Sequence, residues 1–115
     1  MAKQGKVWGE TEEIFNNGTV SINYLKIKVG GFCSEHRHIK KANLFFVVSG
    51  TLRLEIWKED GKRKDETILG PGEMSRIEPG DYHRFWAVSD VECFEIYDLS
   101  FTDEDIERRT VGGMA

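Results

Sequence analysis

Long apolar runs are missing from this sequence. No stretch approaches the roughly 18 residues that a membrane-spanning helix requires, and no secretory leader pattern opens the chain. The expectation is a cytoplasmic protein without membrane contact. Cysteine is scarce. Cys33 and Cys93 are the whole supply, too few for a disulfide framework, and a reducing compartment is the default setting. Basic residues are not in excess: Lys and Arg number 16 against 20 Asp and Glu, a net charge of −4. That argues against a nucleic-acid partner, which usually meets a basic face. There is no internal repeat, no low-complexity segment and no glycine-rich loop of the phosphate-cradling kind. Histidine is limited to three residues. All three fall into one pattern, which leaves none for a Ser-His-Asp arrangement.

What is present is a series of short segments that alternate apolar and polar residues. At 115 residues the chain is expected to form one domain, residues 1–115, with a core over about 20–100. Residues 1–6 and 111–115 read as loose ends. Asn16-Asn17-Gly18 is a turn signal. Val20 to Val29 alternates but changes phase; a bulge near Tyr24, or a strand covered on both faces, would account for it. Leu44 to Val48 is a continuous apolar run, as in a central strand buried on both faces. Thr51 to Trp57 places Leu52, Leu54 and Ile56 inward and Arg53, Glu55 and Trp57 outward. Lys58 to Glu66 reads as a charged, solvated loop with an Asp60-Gly61 hairpin turn. Thr67 to Leu69, Met74 to Glu78, His83 to Val88 and Val91 to Leu99 follow as strands, the first two ended by glycine beside Pro71 and Pro79. Thr102 to Arg109, acidic first and basic last, reads as a short N-capped helix. The sum is an all-β sandwich or barrel.

The chemistry concentrates in Gly30 to Gly50 and in Ile77 to His83. His36 and His38 are two apart. On an extended strand such positions share a face, with Cα atoms roughly 6.5–7 Å apart, close enough for both imidazoles to reach one metal ion. Asn43 follows, and His83 sits just after the Pro79-Gly80 turn.

These two segments resemble the cupin superfamily. The first cupin motif runs Gly, five residues, His-x-His, three or four residues, Glu, six residues, Gly. Here it is Gly30, His36, His38, Asn43 in the glutamate's place, and Gly50. In the second, Gly72, Glu78-Pro79-Gly80 and His83 keep the spacing, with Ala87 where the motif has asparagine. The resemblance implies a double-stranded β-helix, or jelly roll, here with a short C-terminal helix. It also implies a divalent transition metal held by His36, His38 and His83, with Asn43 or water in a fourth position. Zinc, iron, manganese, nickel and cobalt all suit three neutral imidazoles. The Trp8-Gly9 stretch and the Asp105-Ile106 segment are further similar to the cupin domain of type II mannose-6-phosphate isomerases. Trp8 also reads simply as one buried tryptophan pinning an N-terminal strand.

Three functions follow as expectations. The first is a metal-dependent sugar or sugar-phosphate isomerase, with Glu95 as base and Lys41 neutralising a phosphate at the mouth. Lys41 falls near an arginine of those isomerases, though it reads equally as a solvated loop lysine. The parity of Val91 to Leu99 puts Glu95 on one face with Cys93 and Tyr97 without saying which face looks inward. The second function is a three-histidine non-haem iron dioxygenase. The third is a non-enzymatic small-molecule or sugar-binding module. A homodimer is expected, with Phe46, Trp57 and Trp86 supplying outward apolar surface.

Overall fold

The alternating segments form strands throughout. The structure, a computed structural model, describes residues 3–58, 62–98 and 107–115. In chain order the strands are β1 (Lys3–Lys6), β2 (Gly9–Asn16), β3 (Val20–Ile27), β4 (Gly31–Phe32), β5 (His36–Arg37), β6 (Asn43–Ser49), β7 (Leu52–Lys58), β8 (Arg63–Leu69), β9 (Met74–Ile77), β10 (Tyr82–Ala87), β11 (Val91–Asp98), β12 (Glu107–Arg108) and β13 (Gly113–Met114). No helix occurs among the described residues, and so none is long and apolar enough to cross a membrane.

The strands make two antiparallel sheets, a jelly roll. One runs β1-β2-β3-β11-β6-β9. In the other, β10 pairs with β7 along one edge and with β4 and β5 along the other; β8 lies beyond β7, β13 beyond β4 and β12 beyond β5. Leu25, Ile27, Phe45 and Val47 from the first sheet join Leu52, Leu54, Phe85 and Ala87 from the second in one buried cluster. Each large apolar side chain so buried contributes about 1.5–3 kcal/mol. Register divides the first sheet's inner face in two. Leu25 pairs with Cys93 and Ile27 with Val91, which makes one end apolar. Asn23 pairs with Glu95, and Ser21 and Asn43 flank Tyr97, which makes the other end polar. Gly50 allows the turn between β6 and β7. Its φ is +84°, and a Cβ there would lie 2.0 Å from the Asp90 carbonyl oxygen.

Several expectations need correction. Lys3–Lys6 is a strand, paired with Gly9 to Glu12, rather than a tail. The C-terminal residues 111–115 are also ordered in pairing: Gly113 and Met114 pair with β4, and Ala115 N donates to Gly30 O. Gly112 is part of the reason. A Cβ there would lie 2.6 Å from Phe32 O, so only glycine brings the chain this close. The short C-terminal helix is not seen: Glu107–Arg108 is strand, and the rest of the segment, Thr102 to Ile106, lies outside the described residues. β3 runs unbulged against β11 from Val20 to Ile27. Its phase change instead reflects an apolar outer face, where Tyr24 meets Phe94 edge-on at 5.1 Å and Phe94 lies near Phe46. β8 begins at Arg63, inside the expected charged loop, whose Asp60-Gly61 turn lies outside the described residues. Trp57 and Trp86 point outward but are covered. Trp86 stacks on Phe32 at 4.7 Å, and arginines lie over both indoles.

Candidate metal centre

His36 and His83 are cross-strand partners on β5 and β10, and partners in register share a face. His38 follows β5 on the same face. The three rings are buried and mutually close, with centroids 4.3 Å (His36–His83), 5.1 Å (His36–His38) and 5.6 Å (His38–His83) apart. One nitrogen from each lies within 4.8 Å of the others, a little wider than the roughly 3–4 Å between ligands around one ion at about 2.1 Å. The other ring nitrogens are oriented by backbone. His36 Nδ1 lies 2.8 Å from Ser34 O, and His83 Nδ1 lies 3.2 Å from Asp81 O. Such bonds fix the tautomer and turn Nε2 toward the site.

Burial disfavours the charged form of two of these imidazoles, His36 and His83. It lowers His36 to about 4 against the opposing hydrogen bond with the Ser34 backbone, and holds His83 well below its usual value. A neutral imidazole is the ligating form. Asn43, in the glutamate's place, is 1% exposed. Its Nδ2 lies 3.3 Å from His83 Nε2 and donates to Glu95 Oε2 at 3.2 Å, while its Oδ1 is buried without a hydrogen-bond partner. A buried acceptor left unsatisfied needs a partner, and a cation is one. Three clustered imidazoles beside a spare amide oxygen fit a first-row divalent transition ion.

β11 settles the parity that sequence left open: Cys93, Glu95 and Tyr97 face inward. Glu95 and Tyr97 line a cavity of about 360 Å³ together with His36, Cys33, Trp8 and Phe85. Burial raises the Glu95 carboxyl against opposing hydrogen bonds from Tyr97 and Asn43. Burial also lifts Tyr97 well above the usual phenol value. Lys41, expected at an open mouth, is 6% exposed, with Nζ 4.4 Å from the Tyr97 ring centroid. Trp8 is buried edge-on against Phe85 at 5.0 Å and lines the cavity, so the pinning role and a place at the site coincide. Lys6 and Arg108 also line this cavity. Sequence reading missed both, because each reaches it through a strand at a chain end.

The family model described as Cupin domain matches residues 23–97. No curated protein matches the chain. Among solved structures, an oxalate decarboxylase of Bacillus subtilis superposes with a TM-score of 0.82 at 20% identity, covering 94% of this chain and 30% of that one. The chain therefore spans under a third of that enzyme's length. KdgF from Halomonas sp. superposes with a TM-score of 0.76 at 16% identity, covering 90% of each chain. At these identities the likeness is one of fold. The family match spans both histidine segments and most of the two sheets, and the chain belongs to the cupin domain family.

Proposed function

We propose that this cupin is a metal-dependent enzyme that moves a proton between adjacent carbons of a sugar or sugar phosphate, an aldose–ketose isomerisation. The observation that carries this reading is the hydrogen bond from Asn43 to Glu95, which sets a half-buried carboxyl beside His83 in the cavity wall. His36, His38 and His83 would hold the ion, with Asn43 Oδ1 available as a fourth donor. The bound ion would supply Lewis acidity toward substrate oxygens. Glu95 takes the proton from one carbon and returns it to the next. Its raised pKa suits both halves, because proton exchange is most efficient when the group titrates nearer working pH. Tyr97 donates to Glu95 and holds it, and the Lys41 ammonium favours its charged form. Pairing of two chains through the Tyr24, Phe46 and Phe94 face goes with this proposal; a monomer mass by light scattering at micromolar concentration would remove it.

The test is aldose-to-ketose conversion across a sugar-phosphate panel, run beside oxygen uptake with thiols and diketones. Glu95→Gln should lower turnover by about 10²–10⁴-fold with metal content unchanged. A second reading, a three-histidine non-haem iron dioxygenase, is favoured by the lack of a carboxylate in the donor cluster found among the described residues. Oxygen consumption without isomerisation would establish it and remove the first. Silence in both assays would leave a small-molecule binding module.

A further inference from the structure

The cavity beside the histidines is walled partly by the two ends of the chain, and each end contributes one cation. Arg108 on β12 is the register partner of His36 on β5, so both side chains leave the same face of the sheet. Arg109, next along, takes the opposite face, where it pairs with Glu35 and covers the Tyr82 ring at 4.0 Å. Lys6 reaches the cavity by the same logic. It is the register partner of Gly9, and Gly9 in turn pairs with Ile27, whose side chain is core. Lys6 therefore leaves the cavity side of the sheet at its exposed rim, opposite a residue with no side chain to screen it. The positive charge of Arg108 is felt at Tyr97, and that of Lys6 at Glu95.

Several other cations in this fold are held by carboxylates. Arg84, Arg109, Lys58, Lys64 and Arg76 each form an ion pair with a carboxylate. Among the described residues Lys6 and Arg108 form none within 4.0 Å. The cavity's lining holds a single acid, Glu95, against these two cations. The fixed charge lining the cavity is thus net positive, in a protein of net charge −4.

Resting on the reading of this cavity as the substrate site, we propose that Lys6 and Arg108 form its anion-recognition pair. Its ligand is then a small organic anion bearing a carboxylate or phosphate group. A guanidinium binds either group through two parallel N–H donors, and an ammonium adds a point charge without geometric demand. This moves anion recognition from Lys41, whose ammonium is buried over Tyr97, to the two chain ends.

The test is calorimetric titration of the full chain with glucuronate, glucose 6-phosphate and glucose. Both anions, or one of them, should bind at least about tenfold tighter than glucose, with an affinity that falls as salt is raised. The tighter of the two names the anionic group. Arg108→Gln and Lys6→Gln keep the strand backbones, and each should weaken anion binding about five- to tenfold while changing glucose affinity less than about twofold. Melting temperatures of the variants report whether the fold is kept. Three outcomes overturn the proposal: glucose binding as tightly as both anions, no binding of any probe at millimolar concentration, or Arg108→Gln with unaltered anion affinity. Glu95→Gln separates this proposal from the acid–base reading. If Glu95→Gln leaves turnover intact while anion binding still needs Arg108, the base assignment fails and the anion pair stands.

Discussion

The sheet that carries β10 holds a buried polar cluster on each face, and the two are built on opposite terms. His83 and Arg84 are consecutive residues, so they point to opposite sides. On the inner side His83 joins His36, His38 and Asn43, with the Asn43 Oδ1 unsatisfied. On the outer side Arg84 joins Glu55, itself 2% exposed, which takes 2.9 Å bonds from Arg84 and a 2.8 Å bond from Lys64. Burial alone would raise Glu55, but the hydrogen bonds from Lys64 and Arg84 outweigh it and hold the carboxyl below its usual value. The difference separates two uses of buried polarity. Where every partner is supplied, the cluster contributes to the fold. Where a partner is withheld, the cluster is kept ready for something the chain does not contain.

The sharpest way to break this comparison is at the inner cluster. Replacing His36, His38 or His83 with alanine should abolish stoichiometric metal, a loss exceeding the 10–100-fold typical of outer-shell changes. Metal analysis of protein purified without chelator reads it directly. Chelation should lower the melting temperature of the unaltered protein but not of the variants, since an ion that binds only the native state stabilises by mass action. Full occupancy in His83→Ala would mean that the two motifs do not share a site. The outer cluster should respond the other way. Glu55→Ala strands two cations, and because Arg84 and Lys64 are partly exposed the cost should be about 2 kcal/mol rather than the 3–5 of a fully buried pair. Urea midpoints measure it, and metal content should not change.

Acid should attack the outer cluster too. The Glu55 carboxyl is depressed in the folded state, so the unfolded chain takes up the proton first. Stability from this group is present above pH 4.5, the ordinary value, and is lost as pH falls below it. The stability of Glu55→Gln should therefore fall less steeply than that of the unaltered protein over this range. The smallest effect is expected at Asn43. Asn43→Glu gives a neutral donor set one carboxylate and should tighten metal binding by about tenfold. It should also lower the ion's Lewis acidity, so an isomerase would bind metal better and turn over more slowly. Weaker binding in that variant would show that position 43 faces away from the ion.

The inner cluster was legible in the sequence because its signal is local: two histidines at strand spacing, and a third after a Pro-Gly turn. The outer cluster was not. Glu55 alternates as an exposed residue should, and only the pairing of β7 with β8 and β10 brings Lys64 and Arg84 over it. The chain ends were misread for a related reason. Lys3 to Lys6 has no apolar face to alternate, and its strand exists through backbone pairing alone. Gly112-Gly113 reads as slack but is a close approach to Phe32 and Cys33. The inward face of β11 depends on register with β3 and β6, which alternation within one strand cannot specify.

Cys33 gives the cavity a built-in clock. Its thiol lies in the cavity wall, accepts a hydrogen bond from Phe85 N at 3.2 Å, and is raised by burial to about 12. At pH 7 the thiol therefore stays protonated, so alkylating reagents wait for the wall to open. Cys93, deeper in the core, is raised further, by burial first and then by the charge of Glu95. The two cysteines keep separate time, one for breathing of the cavity and one for opening of the barrel. Any molecule that fills the cavity should slow the first directly and the second only through mass action on the whole fold, so comparing the two labelling rates by mass spectrometry can score occupancy before a substrate is known.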